Sequence, residues 1–144
     1  MNRIILLYAA LSVFQFSGCS SLMHPKAGEF YTQAKGETGK HTALALLTMM
    51  ESSTQQAKTE VGESPGLDNL HNQFHALHKT FCEFTEQQSA TTPFEQASTL
   101  NKELKTVFHR LWKFKNDTAL RVVHLDLFLA RIAELQRILQ SIPN

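Results

Sequence analysis

The 144-residue chain is nearly balanced in charge, with 14 lysines and arginines against 13 aspartates and glutamates. A formal net charge of +1 provides no basic surface of the kind that binds nucleic acid, so we expect no nucleic-acid partner. The length suits one domain with a modest hydrophobic core and is too short for a large multidomain architecture.

The chain begins with a short apolar segment behind a single positive charge. Arg3 is followed by an apolar run at residues 4–16, which only Ser12 and Gln15 interrupt. A helix of about 13 residues reaches ~20 Å, whereas the hydrocarbon core of a bilayer is ~30 Å thick. The pattern therefore predicts a signal peptide rather than a permanent transmembrane helix.

Small residues precede the first cysteine, in the order Ser17-Gly18-Cys19. This arrangement resembles the lipobox of bacterial lipoproteins, although Phe16 stands where that family prefers leucine or another aliphatic residue. The resemblance covers only the first twenty residues. It implies removal of residues 1–18, lipidation of the Cys19 sulfur and acylation of its new amino group, which together give a stable membrane anchor. The alternative is an ordinary secretory signal in which the cysteine is incidental.

The residue after the cysteine bears on localisation. In Gram-negative lipoproteins an aspartate there retains the protein in the inner membrane, and this chain has Ser20. The resemblance therefore implies the periplasmic side of the outer membrane, if the source has two membranes. With Cys19 lipidated, Cys82 would be the single thiol, and no internal disulfide is expected.

Residues 19–40 are predicted to form the lipidated N-terminus and a flexible tether. The segment after the cysteine has three glycines and one proline and no lasting apolar period, with room for one short helical turn around Phe30 and Tyr31. A helical apolar period begins near His41. Residues 41–144 are therefore predicted to form the folded domain.

Amphipathic segments follow the predicted tether. A first helix is expected at about 41–60, ended by Gly62 and Pro65. A second should open near Pro65 or Asp68 and run to about Gln88, because apolar residues recur there at spacings of 4, 3, 4 and 3. These seam residues are Leu70, Phe74, Leu77, Phe81 and Phe84.

The third helix has the clearest start in the sequence. Thr92-Pro93-Phe94-Glu95 has the form of a capping box with proline at the first helical position. Asn116-Asp117-Thr118 then interrupts the helix and could cap a fourth one, which Pro143 would stop. The apolar seam of the fourth helix has spacings of 3, 4, 3, 4 and 3, at Leu125, Phe128, Ile132, Leu135, Leu139 and Ile142.

The predicted fold class is all-α, because no apolar alternation bounded by turn residues marks a strand. Short loops favour a four-helix bundle with an up-down-up-down course. If the break near 116–118 were absent, a continuous helix from 94 to 142 would instead give a long hairpin. The 3,4-spaced seams would also suit pairing with a partner helix.

No standard catalytic signature is present, including the nucleophile elbow, phosphate loop, zinc-protease, CxxC and haem-attachment motifs. No pair of carboxylates has an evident acid and base arrangement. We therefore expect a protein that is not an enzyme and needs no cofactor.

Four metal-capable side chains follow one edge of the second helix, at His71, His75, His78 and Cys82. Imidazole and thiolate both bind zinc or copper, and two histidines four residues apart can chelate one ion. Because His71 and Cys82 are eleven residues apart, they are separated by about 16 Å along the helix axis. The natural halves are thus His71 with His75 and His78 with Cys82, each needing outside ligands, for which His109, His124 and Asp126 are candidates.

Two plainer interpretations of this stripe remain open. Histidines are common at the border between core and solvent, and Cys82 would then be a small buried apolar residue. Alternatively, the histidines could form a pH-responsive cluster.

One aromatic segment stands out as a possible contact patch. Aromatic residues at helical spacing usually belong to the core. In Trp112-Lys113-Phe114-Lys115, however, alternation places Trp112 and Phe114 on different faces of a helix, so we expect one of the two rings to be exposed.

The sequence therefore favours a binding protein without catalysis. The leading hypothesis is an outer-membrane-anchored periplasmic adaptor or assembly accessory, with an envelope protein as its partner. The alternative is a periplasmic metal-binding or metal-sensing bundle that uses the histidine and cysteine stripe.

Overall fold

The computed structural model describes residues 23–87 and 91–144. Within these residues every regular element is a helix and none is a strand, so the prediction of an all-α fold is confirmed. The predicted signal peptide and lipidation site at Cys19 lie outside the described residues. The described part of the chain forms five helices: α1 (Pro25–Ala34), α2 (Gly39–Thr59), α3 (Pro65–Gln87), α4 (Thr92–Lys113) and α5 (Thr118–Ser141).

The predicted count of four helices is wrong, because α1 lies inside the segment that was assigned to the tether. Pro25 begins this helix at a position where its missing N–H costs nothing. Ala27 and Ala34 are buried, and Phe30 and Tyr31 pack against the core from the same face. The sequence did not predict this helix because a segment of ten residues with an interior glycine, Gly28, is a poor helix former by itself.

Helices α2 to α5 form a bundle with a shared apolar core. Helix α2 packs against α3 and α5, α5 also packs against α4, and α1 lies across α3 and α2. Large aromatic side chains join α3 to α4, including Phe74 and Phe108, whose rings stack with centroids 4.3 Å apart. The seam residues predicted for α3 and α5 are all buried. Among the described residues, no helix is both long and apolar enough to cross a membrane.

The helix boundaries follow local chemistry. Asp117 caps α5 by accepting a hydrogen bond from the Leu120 N–H at 3.0 Å, so the predicted break between the last two helices is confirmed. The predicted capping box at Thr92 is not formed: Thr91 occupies the cap position and its side chain makes no capping hydrogen bond. Gly62 takes a positive φ of 81° between α2 and α3, a conformation that favours glycine.

Two long basic side chains tie the ends of the bundle together. Lys40 at the start of α2 donates from Nζ to the backbone oxygen of Ile142 at 2.9 Å, which places the two chain regions at the same end. At the other end, Arg121 is only 3% exposed and donates to the backbone oxygens of Glu60 and Lys115. Both side chains satisfy carbonyls that a helix end leaves without a partner.

Candidate functional site

His71 and His75 face each other on the first half of α3. Their Nε2 atoms are 2.8 Å apart and their ring centroids 4.7 Å apart. The helix produces this pairing by itself, because residues four apart lie one above the other on the same face. The ring of Trp112, from α4, meets His71 edge to face with centroids 4.4 Å apart. The indole of Trp112 therefore packs against the His71 imidazole.

The histidine pair lies beside a cavity of about 360 Å³ between α1 and α3. Its lining includes Asp68, which precedes His71 by one helical turn, and His24 at the cap of α1. A carboxylate and three imidazoles therefore face one space. Asp68, His71 and His75 lie close together because they are three or four residues apart on α3. His24 belongs to the cap of α1, so its position beside them could not be predicted from sequence spacing.

The imidazoles of the stripe are held toward their neutral form. Partial burial lowers the pKa of His71, and the neighbouring His75 and Lys115 lower it further. Burial also lowers the pKa of His75, and of His78, where Lys105 adds to the effect. Neutral imidazole is the form that binds a metal ion, so this environment favours ligation at neutral pH.

The structure brings together His71 and His75, the first half of the predicted stripe. His78 does not line this cavity. Cys82 is disulfide-bonded, so the expectation of a single free thiol at this position is not met, and a disulfide sulfur offers no thiolate to a metal. The other cysteine of the sequence, Cys19, lies outside the described residues.

Two of the three proposed outside ligands, Asp126 and His124, contact other side chains. Asp126 pairs with Lys58 Nζ at 2.5 Å, and His124 stacks on the ring of Phe114 with centroids 5.5 Å apart. Within residues 23–87 and 91–144, no group of three or more histidine, cysteine, aspartate or glutamate side chains is positioned to hold a metal ion. A metal at the His71/His75 pair would therefore need Asp68 or His24 to move toward it.

The Trp112–Lys115 segment forms a compact cation–aromatic cluster. Both aromatic rings are half-buried, with Lys115 Nζ 4.2 Å from the centroid of Trp112 and Lys113 Nζ 5.4 Å from that of Phe114. The large apolar side chains that are exposed in the described part of the chain lie elsewhere, at Val61, Leu120, Val123 and Leu127. Three of them belong to α5, which is apolar on most sides, so its sequence pattern does not mark one exposed apolar face.

A second cavity, of about 760 Å³, opens beside this cluster. It is lined by residues of the α2–α3 and α4–α5 loops and by the first turn of α1, among them Lys26, Lys115 and Arg121. The Nε atom of Arg121 is buried there without a hydrogen-bond partner. A buried cationic donor of this kind was not expected from the sequence, because Arg121 lies in the first turn of a predicted helix, where basic residues are usually solvent-exposed.

No protein-family model, no curated protein and no solved structure matches this chain.

Proposed function

We propose that this protein is a lipid-anchored, non-catalytic adaptor or assembly accessory of a bacterial cell envelope. In this proposal the chain is cleaved before Cys19 and held by lipid on the periplasmic side of the outer membrane. The observation that carries the proposal is the order Ser17-Gly18-Cys19 after a short apolar run. Its partner is an envelope protein, and no cofactor takes part.

The folded part supports a binding role through its surface. The α5 side chains Leu120, Val123 and Leu127 are 40%, 53% and 47% exposed, and their spacing of 3 and 4 places them on one side of the helix. Exposed apolar side chains grouped in this way are typical of contact surfaces rather than of a surface that faces only water.

The anchor is tested by metabolic labelling with a palmitate analogue. Wild type should be labelled and Cys19→Ala should not, because the lipid is attached to that sulfur. Cys82→Ala is the matched control and should be labelled like wild type. Equal labelling of wild type and Cys19→Ala would refute the anchor.

The disulfide of Cys82 provides a second test of the anchor. A sulfur that carries a lipid thioether cannot also form a disulfide, so a lipidated Cys19 cannot be the partner of the disulfide-bonded Cys82. Mass spectrometry of the processed protein under non-reducing conditions should therefore find lipid on Cys19 and no disulfide-linked peptide there. A peptide that joins Cys19 to Cys82 would contradict lipidation in that molecule.

The adaptor role is tested by cross-linking in cells. A photoreactive residue at position 127 should yield a discrete cross-linked product, whereas one at the exposed position 102 on α4 should not. If both positions gave no product, or the same products, the α5 surface would not be a specific contact.

A second candidate function is metal binding, and the 2.8 Å approach of the His71 and His75 Nε2 atoms favours it. Each imidazole is a ligand for zinc or copper, and Asp68 and His24 border the same cavity. His78 and Cys82 are not part of this narrower proposal.

Copper binding is measured by the fluorescence of Trp112, the single tryptophan of the chain, because its ring lies against His71. Copper should quench wild type, with an affinity that falls below about pH 6 as protons compete for imidazole. The double variant His71→Ala/His75→Ala should lose the quenching. The control variant His78→Ala should be quenched like the wild type. Equal quenching of the double variant and wild type would eliminate this site.

A further inference from the structure

Two loops and the start of α1 meet at one end of the bundle, which we call the loop end: residues 24–26, 60–64 and 114–117. Arg121 joins the two loops by donating to the backbone oxygens of Glu60 and Lys115. The cavity of about 760 Å³ lies between them, with Lys26 of α1 at its border. The loop end is therefore one continuous surface built from three separate chain segments.

The loop end presents apolar and cation–aromatic groups to the outside. Val61 is 85% exposed, and Leu120 is exposed at the start of α5. Beside them, the ammonium groups of Lys113 and Lys115 lie over the rings of Phe114 and Trp112. Amphipathic aromatic rings next to lysines are typical of the interface between a bilayer and water, where rings lie at headgroup level and lysines reach the phosphates.

The cavity at the loop end offers cationic donors to an anion. Lys26, Lys115 and Arg121 line it, against two acidic side chains, Glu63 and Asp68. Arg121 is nine-tenths buried or more, and its Nε has no hydrogen-bond partner. A guanidinium N–H and two ammonium groups suit a phosphate, because charge-assisted hydrogen bonds to phosphate oxygens are among the stronger ones.

The nearby carboxylate of Glu60 interacts with the charge of Arg121 but does not line the cavity. It accepts hydrogen bonds from the Ser64 hydroxyl at 2.5 Å and the Gly66 N–H at 3.0 Å. Asp117 is likewise occupied as the cap of α5. Among the residues that line the cavity, the three cationic side chains outnumber the two carboxylates, Glu63 and Asp68.

The lipid anchor lies within a short length of chain from this surface. Cys19 precedes His24 by five residues, so their separation is at most about 18 Å. Helix α1 starts at Pro25, and Lys26 already borders the cavity. A bilayer that holds Cys19 is thus close enough for the loop end to reach it, a step that rests on the proposed lipid anchor.

We infer that the loop end is a membrane-contact surface, with Val61 at the headgroup boundary and a phospholipid phosphate bound in the cavity by Lys26, Lys115 and Arg121. The proposed occupant is a lipid surface. A free phosphate ion offers the same oxygens to the cavity but provides no bilayer for Val61. Contact through this end would direct the outer side of α5 along the membrane, toward neighbouring envelope proteins.

The test uses the mature lipidated protein, reconstituted into vesicles of phosphatidylethanolamine and phosphatidylglycerol whose acyl chains are brominated near the headgroup. Bromine quenches a tryptophan that approaches the acyl region, and Trp112 is the single tryptophan of the chain. We expect brominated vesicles to quench at least half of the fluorescence of the wild type, relative to the same vesicles without bromine.

Variants assign the quenching to the loop end. Lys26→Glu with Lys115→Glu should lose most of the quenching, whereas Lys35→Glu with Lys102→Glu, which makes the same charge change at exposed sites away from the cavity, should retain it. Val61→Asp alters a side chain that is almost fully exposed, so it should keep the fold and still lower the quenching. Circular dichroism verifies the helical content of each variant.

The outcomes separate this inference from the anchor on which it rests. Flotation with neutral phosphatidylcholine vesicles reports the anchor alone, and its absence would refute the anchor. Flotation without quenching by brominated lipid, or equal quenching of the wild type and the Lys26/Lys115 variant, would overturn the membrane-contact surface. If inorganic phosphate altered Trp112 fluorescence while brominated vesicles did not quench it, the cavity would be a site for free phosphate and the inference would be wrong.

Discussion

Helices α1 and α4 both pack against α3, but different forces hold them there. Phe74 stacks on Phe108, and Phe84 meets Phe94 edge to face at 5.2 Å, with all four side chains buried. Helix α1 buries fully only two alanines. Its specific contacts with α3 are polar and partly exposed. The contrast indicates that the contacts of two helices with the same neighbour can contribute very different free energies to the stability of a small bundle.

The polar attachment of α1 is centred on one tyrosine. The hydroxyl of Tyr31 donates to Glu83 Oε2 at 2.5 Å, and Lys79 Nζ lies 4.4 Å from the centroid of the same ring. A net hydrogen bond contributes only about 1 kcal/mol, whereas a fully buried phenylalanine contributes ~1.5–3 kcal/mol by transfer from water alone. We therefore expect α1 to open from the bundle at a lower free energy than is needed to unfold α2 to α5.

The largest loss of stability is expected from a substitution in the aromatic core. Phe128→Ala removes a fully buried ring that lies 6.3 Å from Phe108, and we expect it to lower the free energy of unfolding by ~3–5 kcal/mol. Urea denaturation followed by circular dichroism measures the loss. Leu127→Ala, one residue away and exposed, is the control and should cost under ~1 kcal/mol. Similar losses for the two variants would mean that the core does not include this face of α5.

A smaller effect is expected from acid at the histidine stripe of α3. Because burial lowers the pKa values of His71, His75 and His78 in the folded protein, protons bind more readily to the unfolded chain. The stabilisation is therefore present above the ordinary pKa of about 6.5 and is lost as the pH falls through the lowered values. Thermal melting at pH 7.5 and pH 5 should show a larger drop for wild type than for a variant with glutamine at all three positions. Equal drops would show that the histidines do not couple folding to pH.

The sequence predicted what local spacing determines and missed what distant contacts determine. The seams of α3 and α5 and the cap at Asp117 follow from residues three or four apart, and these predictions were correct. The pairing of His71 with His75 is equally local. By contrast, α1 is only ten residues long and depends on contacts 52 residues away, from Tyr31 to Glu83.

Buried basic side chains were also beyond the sequence. Lys40 is buried because its ammonium group donates to the backbone oxygen of Ile142, 102 residues further along the chain. Arg121 is buried because it donates to backbone oxygens in two different loops. Neither partner is indicated by any local pattern. The opposite error occurred at Thr92, where a capping-box pattern was present but the chain begins α4 one residue earlier than the box requires.

The smallest expected effect isolates the polar attachment of α1. Tyr31→Phe keeps the ring beneath Lys79 but removes the hydroxyl that donates to Glu83, which should cost about 1 kcal/mol. Hydrogen exchange should show faster exchange in residues 25–34 of the variant, while amides in α3 and α5 keep their protection. An equal change across all helices would mean that α1 unfolds together with the bundle.

The same contact should be visible as an alkaline titration. The hydrogen bond to Glu83, with burial and the negative charge of that carboxylate, raises the pKa of Tyr31 to about 12. Because this folded-state value exceeds the ordinary value of about 10, the stabilisation is complete below pH 10 and is lost as the pH rises through 12. The sequence has two tyrosines, and Tyr8 belongs to the predicted signal peptide, so Tyr31 is the one expected in the processed chain. Its ionisation, followed by absorbance at about 295 nm, should have a midpoint well above that of free tyrosine, and Glu83→Gln should lower it. A midpoint near 10 in the wild type would show that α1 is not held to α3 by this hydrogen bond.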